Sequence, residues 1–169
     1  KEVSRFLSDL VQSFTSDIEE PEPIFMGTMQ LAPTLSSNVF DVIDGQQRLT
    51  TIMLIIKVLK HLFYDENPIV RSLSLDWLKS EGGNQQENLI QALELDLNRP
   101  VYKNPLNNYA TVLGQIKSHV EDKLINVEFE QELDKSQFLE FLLTKVYFVI
   151  IETRAGLSKT LQIFNSINT

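Results

Sequence analysis

Apolar residues recur at intervals of three and four over residues 4–18, where Phe6, Leu7, Leu10, Val11 and Phe14 share one side of a helical wheel. The pattern predicts an amphipathic helix whose apolar face packs on a core. Glu19-Glu20-Pro21-Glu22-Pro23 ends it, because proline disfavours helical conformation in the residue before it and has no N–H to donate. The period then changes. Residues 24–31 and 39–43 read as two buried strands joined by turn formers at 33–38, so an antiparallel pair is expected. From Gln46 to about residue 63 the spacing is helical again, with Leu49, Ile52, Met53, Ile56 and Leu59 on one face and Leu54, Ile55, Val58 and Leu62 on others. A helix apolar nearly all round is buried on several sides, which makes 46–63 the central helix.

Further along, residues 69–78 predict a helix, Glu81-Gly82-Gly83-Asn84 a break, and the alternation Leu93-Glu94-Leu95-Asp96-Leu97 a strand. Loop signals at Asn104-Pro105 and Asn107-Asn108 precede a half-exposed helix over 109–123, carried by Val112, Leu113, Ile116 and Val120. Phe138, Leu139, Phe141 and Leu142 predict a helix over 136–144. The β-rich run from Val146 to Ile151 suits a central strand. Leu157, Leu161, Phe164 and Asn168 space a last helix at about four. The expected fold is α+β, a small mixed or antiparallel sheet with strands near 24–31, 39–43, 93–97 and 146–152 around the buried helix 46–63.

Composition narrows this picture. A chain of 169 residues, 43% hydrophobic with ten Phe, has the means for one sizeable core. No segment offers the roughly 20 apolar residues of a membrane span, and the absence of cysteine excludes disulfides and thiolate metal sites, so a cytoplasmic protein is expected. A net charge of −8 argues against a long basic track for nucleic acid, so any DNA contact is local or comes from partner regions.

Candidate chemistry concentrates at Asp44-Gly45-Gln46-Gln47-Arg48, where the second strand gives way to the central helix. A strand ending on Asp-Gly and opening a helix gathers free N–H groups, two amides and a guanidinium, an arrangement suited to phosphate. A purely structural reading also exists. With Asp44 as N-cap, Gln47 stands in capping-box spacing, and such a cap contributes about 1 kcal/mol with no ligand. Gln46 and Arg48 are less well explained, since arginine there meets the positive end of the helix dipole unless an anion is near. Asp44 or a bound phosphate or carboxylate supplies that anion.

Other signals are sparse. His61 and His119 lack ligand companions and suit surface or capping roles, and Trp77 suits the core. Glu128, Glu130, Glu132 and Asp134 read as a solvated face rather than a cation site. Neither a Gly-x-Ser-x-Gly nucleophile elbow nor a Walker loop nor a His-Asn-His nuclease motif occurs.

The unbroken stretch Val42-Ile43-Asp44-Gly45-Gln46-Gln47-Arg48-Leu49-Thr50-Thr51 resembles the signature of the DGQQR family, the N-terminal domain of GmrSD-type modification-dependent restriction systems, itself similar to the ParB/sulfiredoxin fold. Phe25-Met26-Gly27-Thr28 resembles the family's strand before the motif, and residues 161–168 resemble its Phe-Glu-x-Leu-Asn-x-Arg-Gly element, so three landmarks in order cover most of the chain. The resemblance implies a single ParB-like domain over 1–169 that binds and hydrolyses a nucleoside triphosphate with Mg²⁺ in bacterial anti-phage defence. By carry-over, Gly45, Gln46, Gln47, Arg48 and Asn168 would hold the nucleotide, Asp44 and Arg48 would be catalytic, and Asp44 would orient the motif or stand near the metal. DNA would be engaged through other regions or a nuclease domain or subunit. The chain departs from the family at both ends. It begins at Lys1, after the place of an Ile-Pro-x-Tyr-Gln-Arg-x-Tyr-x-Trp element, carries Asn165 where the family has Glu, and stops at Thr169 before Arg-Gly, as expected of a fragment. Two alternatives remain: a non-catalytic interaction or structural module, and a ParB-like phosphodiesterase acting on DNA.

Overall fold

The apolar runs at 24–33 and 40–44 produce two strands, β1 (Ile24–Pro33) and β2 (Phe40–Asp44), paired antiparallel. The computed structural model describes residues 5, 9, 23–65, 68–81, 83–122, 135–152 and 157–167. Apart from Arg5 and Asp9, both helical, the expected N-terminal helix lies outside them, as do the acidic cluster from Glu128 to Asp134 and Asn168. Between the strands, Thr34 closes the turn: its Oγ1 donates to the Val39 carbonyl at 2.8 Å and accepts from Ser36 N–H at 3.2 Å. Local side-chain bonds of this kind are what favour Ser and Thr in turns.

The helices fully within the described residues are α1 (Gln46–Phe63), α2 (Pro68–Ser72), α3 (Gln85–Leu93), α4 (Asn108–Val120), α5 (Lys135–Thr144) and α6 (Leu157–Ile167). The remaining strand, β3 (Val146–Glu152), follows α5 and pairs parallel with β1, a pairing that needs a long crossover, here formed by the helical segments between β2 and β3. The described sheet is therefore mixed, in the order β2-β1-β3.

The core follows from α1. Leu54, Ile55, Val58, Leu59 and Phe63 are buried and meet Val70 of α2, Ala92 of α3, Ala110, Leu113, Ile116 and Val120 of α4, and Phe141 of α5. Each large side chain so buried stabilises the fold by roughly 1.5–3 kcal/mol. Asn107 fixes the start of α4: its side chain accepts from Ala110 N–H at 3.2 Å, and its Nδ2 donates to the Asn88 carbonyl of α3 at 2.9 Å. One buried amide thus caps one helix and ties it to another. The first turn of α1 is exposed, and its last three turns carry the buried residues.

Four expectations are corrected. Residues 93–97 form no strand: Leu93 ends α3, Asp96 Oδ1 accepts from Asn98 N–H at 3.0 Å in a local turn, and Leu97 is buried without a ladder. Alternating burial arose from a chain turning over the core, not from pleating. The helix expected over 69–78 stops at Ser72, and Lys60 Nζ holds the chain beyond it through the Leu73 carbonyl at 2.6 Å. Trp77, in that irregular stretch, is 45% exposed and is no core residue. The run after Val146 lies at an edge of the described sheet, with Ile150 58% exposed, while β1 is the central strand. A β-branched run dictates extension, not the number of neighbours.

Candidate functional site

The motif occupies the junction of β2 and α1, and its geometry begins with Gly45. That residue is the N-cap of α1 at φ 100° and ψ 11°, a left-handed conformation that L side chains rarely adopt. Its α-carbon also sits tightly against β1, since a β-carbon there would lie 2.8 Å from Met29 Cγ. The expected cap by Asp44 with Gln47 is absent: Gly45 caps α1, and no side chain completes the cap. The turn at glycine moves Asp44 one position out of the helix, so its carboxylate is not placed for the N–H groups a capping box would satisfy.

The first bond of the helix ladder runs from Leu49 N–H to the Gly45 carbonyl at 3.0 Å. The N–H groups of Gln46, Gln47 and Arg48 consequently have no acceptor among the described residues. They converge at the positive end of an 18-residue helix whose remaining turns are anchored in the core.

The motif side chains divide by role. Gln46 Nε2 donates to the carbonyls of Val42 at 3.0 Å and Ile43 at 3.1 Å. Ile43 falls at the register shift between β1 and β2, where the ladder is interrupted, and the Gln46 amide covers its carbonyl. Both amide hydrogens of Gln46 are thereby engaged, leaving its Oε1 as an outward acceptor. Gln47 is exposed, and its side chain makes no hydrogen bond among the described residues. Arg48 is exposed as well, but its position is fixed: Nη1 donates to the Thr28 carbonyl, and the guanidinium lies over Gly27, where a β-carbon would be 3.0 Å from Nη1 and 3.1 Å from Cζ.

Gly27, at φ 109°, falls where the register of β1 against β3 shifts between Phe25 and Thr28. The bulge and the missing side chain make room for the guanidinium and present a strand carbonyl to it. Arginine's unfavourable place near a helix N-terminus is thus answered by a β1 carbonyl, and among the described residues Arg48 makes no ion pair with Asp44. Asp44 is half-buried at the end of β2, opposite Gln30 in the ladder. Among the described residues no group of three or more His, Cys, Asp or Glu is placed to hold a metal ion.

Sequence reasoning missed Gly27, Thr28 and Gln30 as members of this site. Gln30 was visible as one polar residue between Met29 and Leu31-Ala32, but its importance depends on which residue of β2 it faces. The histidines lie elsewhere. His61 is fifteen positions along α1 from Gln46, about 22 Å by helical rise. Burial lowers its pKa below the ordinary 6.5, helped by Lys117 and Lys57 and opposed by Asp96 and Glu121. His119 is half-buried on α4. A cavity of about 290 Å³ lined by Leu95, Asp96, Arg99 and Tyr102 lies on the loop before α4, away from the motif.

No described helix is long and apolar enough to cross a membrane. Comparison with known proteins returned no matching curated protein and no matching solved structure. The family model described as GmrSD restriction endonuclease, N-terminal domain, matches residues 1–169, and the chain, an α+β module built around its Asp-Gly-Gln-Gln-Arg junction, belongs to that family of restriction-system domains.

Proposed function

We propose that the β2–α1 junction binds the phosphates of a nucleoside triphosphate with Mg²⁺, and that hydrolysis of this nucleotide drives or licenses DNA cleavage by the restriction system. The observation carrying this reading is the left-handed Gly45, which leaves three convergent N–H groups beside an arginine immobilised on β1. Anions are favoured at such a terminus by both the free donors and the helix dipole.

In this assignment the N–H groups of Gln46, Gln47 and Arg48 hold phosphate oxygens, and the Gln47 amide is free to add a donor. The Thr28 carbonyl takes one donor of the Arg48 guanidinium and the other N–H groups remain for phosphate, so the anchored side chain needs little reorganisation on binding. The Gln46 side chain braces the junction through Val42 and Ile43, and its backbone N–H is the group assigned to phosphate. Asp44 would take part through Mg²⁺, because a carboxylate beside phosphate is otherwise repelled. When bound, Mg²⁺ neutralises charge developing on the phosphate oxygens. Asn168 joins the assigned set by family resemblance. DNA contact is assigned to other regions or to a nuclease domain or subunit, consistent with the net charge of −8, and the site of action to the cytoplasm.

Calorimetry with each common nucleoside triphosphate and Mg²⁺, on the unsubstituted chain and on Arg48→Ala, tests the assignment. Binding that Arg48→Ala weakens at least tenfold is expected, and absence of binding to the unsubstituted chain refutes it. A second reading draws support from the same contacts: Arg48 and Gln46 both bond to strand carbonyls, as they would in a non-catalytic interaction module. It expects Arg48→Ala to lower the melting temperature and leave nucleotide affinity unchanged. The third reading, a phosphodiesterase, gains no carboxylate cluster near Asp44 among the described residues.

A further inference from the structure

Gln30 is 7% exposed, and its side chain makes no hydrogen bond among the described residues. Its chain neighbours Met29 and Leu31 are apolar, and on β3 it faces Ile151. The residue is enclosed, yet its amide atoms keep contact with solvent, so the carboxamide is open to a ligand. What it faces on β2 narrows the choice of ligand. Gln30 stands directly opposite Asp44 in the antiparallel ladder, so the two side chains share a face with β-carbons about 4.5–5.5 Å apart.

We propose that Gln30 and Asp44 form the sugar-recognising half of the motif site, taking the vicinal hydroxyls of a ribonucleotide whose phosphates lie on the α1 N-terminus. This inference rests on the phosphate-binding reading above. A carboxylate only accepts hydrogen bonds, and so do phosphate oxygens, so the Asp44 oxygen not turned to Mg²⁺ suits a part of the ligand that donates. A carboxamide both donates and accepts. Two adjacent hydroxyls supply the complementary set: they donate to Asp44 and the Gln30 oxygen and accept from the Gln30 amide. Position agrees as well. In a nucleotide the sugar is bonded to the phosphate chain, and Asp44 immediately precedes Gly45 and the free N–H groups. Enclosure of the Gln30 side chain adds selectivity, because a ligand lacking hydroxyls makes no use of its amide.

The test measures binding of three probes to the full chain with Mg²⁺: ribonucleoside triphosphates, their 2′,3′-dideoxy forms and inorganic tripolyphosphate. Gln30→Leu, which removes the amide and keeps the bulk, is expected to weaken the ribonucleotide about tenfold or more and tripolyphosphate less than about twofold. The unsubstituted chain should prefer the ribonucleotide to its dideoxy form by a similar factor. Gln30→Met, which keeps the length and stays neutral but loses the amide, should match Gln30→Leu and serves if the latter does not fold. A merely structural glutamine would not separate the probes. Equal affinity for ribo and dideoxy forms, or a ribonucleotide affinity untouched by either substitution, overturns the inference while leaving phosphate binding intact. Tripolyphosphate binding undiminished by Arg48→Ala, or no binding of any probe to the unsubstituted chain, overturns the phosphate reading and this inference with it.

Discussion

Gly45→Ala places two separate costs on one atom. At φ 100° an alanine is held in a conformation worth roughly 1–3 kcal/mol of strain. The new β-carbon would also stand 2.8 Å from Met29 Cγ and 3.3 Å from Met29 Cβ, and Met29 is itself buried. Overpacking of that degree costs about 1–3 kcal/mol. Together the substitution should remove about 2–6 kcal/mol, a large part of the 5–15 kcal/mol that holds a typical domain folded. Urea unfolding followed by circular dichroism should show the midpoint lowered by about 1–3 M at unchanged slope. The contributions separate in a double-mutant cycle. Met29→Ala removes the Cγ clash and keeps the looser contact with Cβ at 3.3 Å, so Gly45→Ala in that background should cost mainly the backbone strain. A loss below about 1 kcal/mol in the single variant, or an undiminished increment beside Met29→Ala, would refute the geometry assigned to this junction.

Asn107→Ala should cost about 1–3 kcal/mol in chemical denaturation, because it removes the α4 cap and leaves the Asn88 carbonyl without its donor. Gly114→Ala should destabilise despite alanine's advantage of about 1 kcal/mol within a helix. Its β-carbon would lie 2.9 Å from the Val101 carbonyl oxygen, a backbone atom, and a higher melting temperature would contradict this. His61 binds its proton less readily folded than unfolded, since burial lowers its pKa below 6.5. The unfolded chain therefore carries more protons as pH falls through 6.5, and stability at His61 is lost in that direction. His61→Gln should flatten the decline in melting temperature between pH 7 and 5, and an unchanged slope would contradict the assignment.

The sequence was most legible where local pattern and burial agree. Helix 46–63 appears at its expected ends because its apolar residues satisfy helical spacing on several faces and the core encloses them. The antiparallel hairpin was equally legible from two apolar runs around a turn-forming loop. Leu93 to Leu97 misled because hydrophobic alternation also arises where a chain turns over the core, and no described strand lies alongside. Trp77 misled because hydrophobicity expresses a preference for burial, and the chain after Ser72 does not turn it inward. At the candidate site, the motif was visible and its internal division was not. Asp44 and Gln47 matched the spacing of a cap, but the left-handed turn at Gly45 displaced it.

By itself, the sequence determined the α+β class, the strand-to-helix junction and the family, since these depend on local periodicity and on an unbroken motif. Tertiary structure alone decided what the motif residues touch. Arg48 reaches Thr28, twenty positions back along the chain, and Gln30 faces Asp44 across a ladder, because sheet register and a bulge at Gly27 bring them together. Periodicity describes a residue's own element. It carries no record of which distant carbonyl or carboxylate folding sets opposite it.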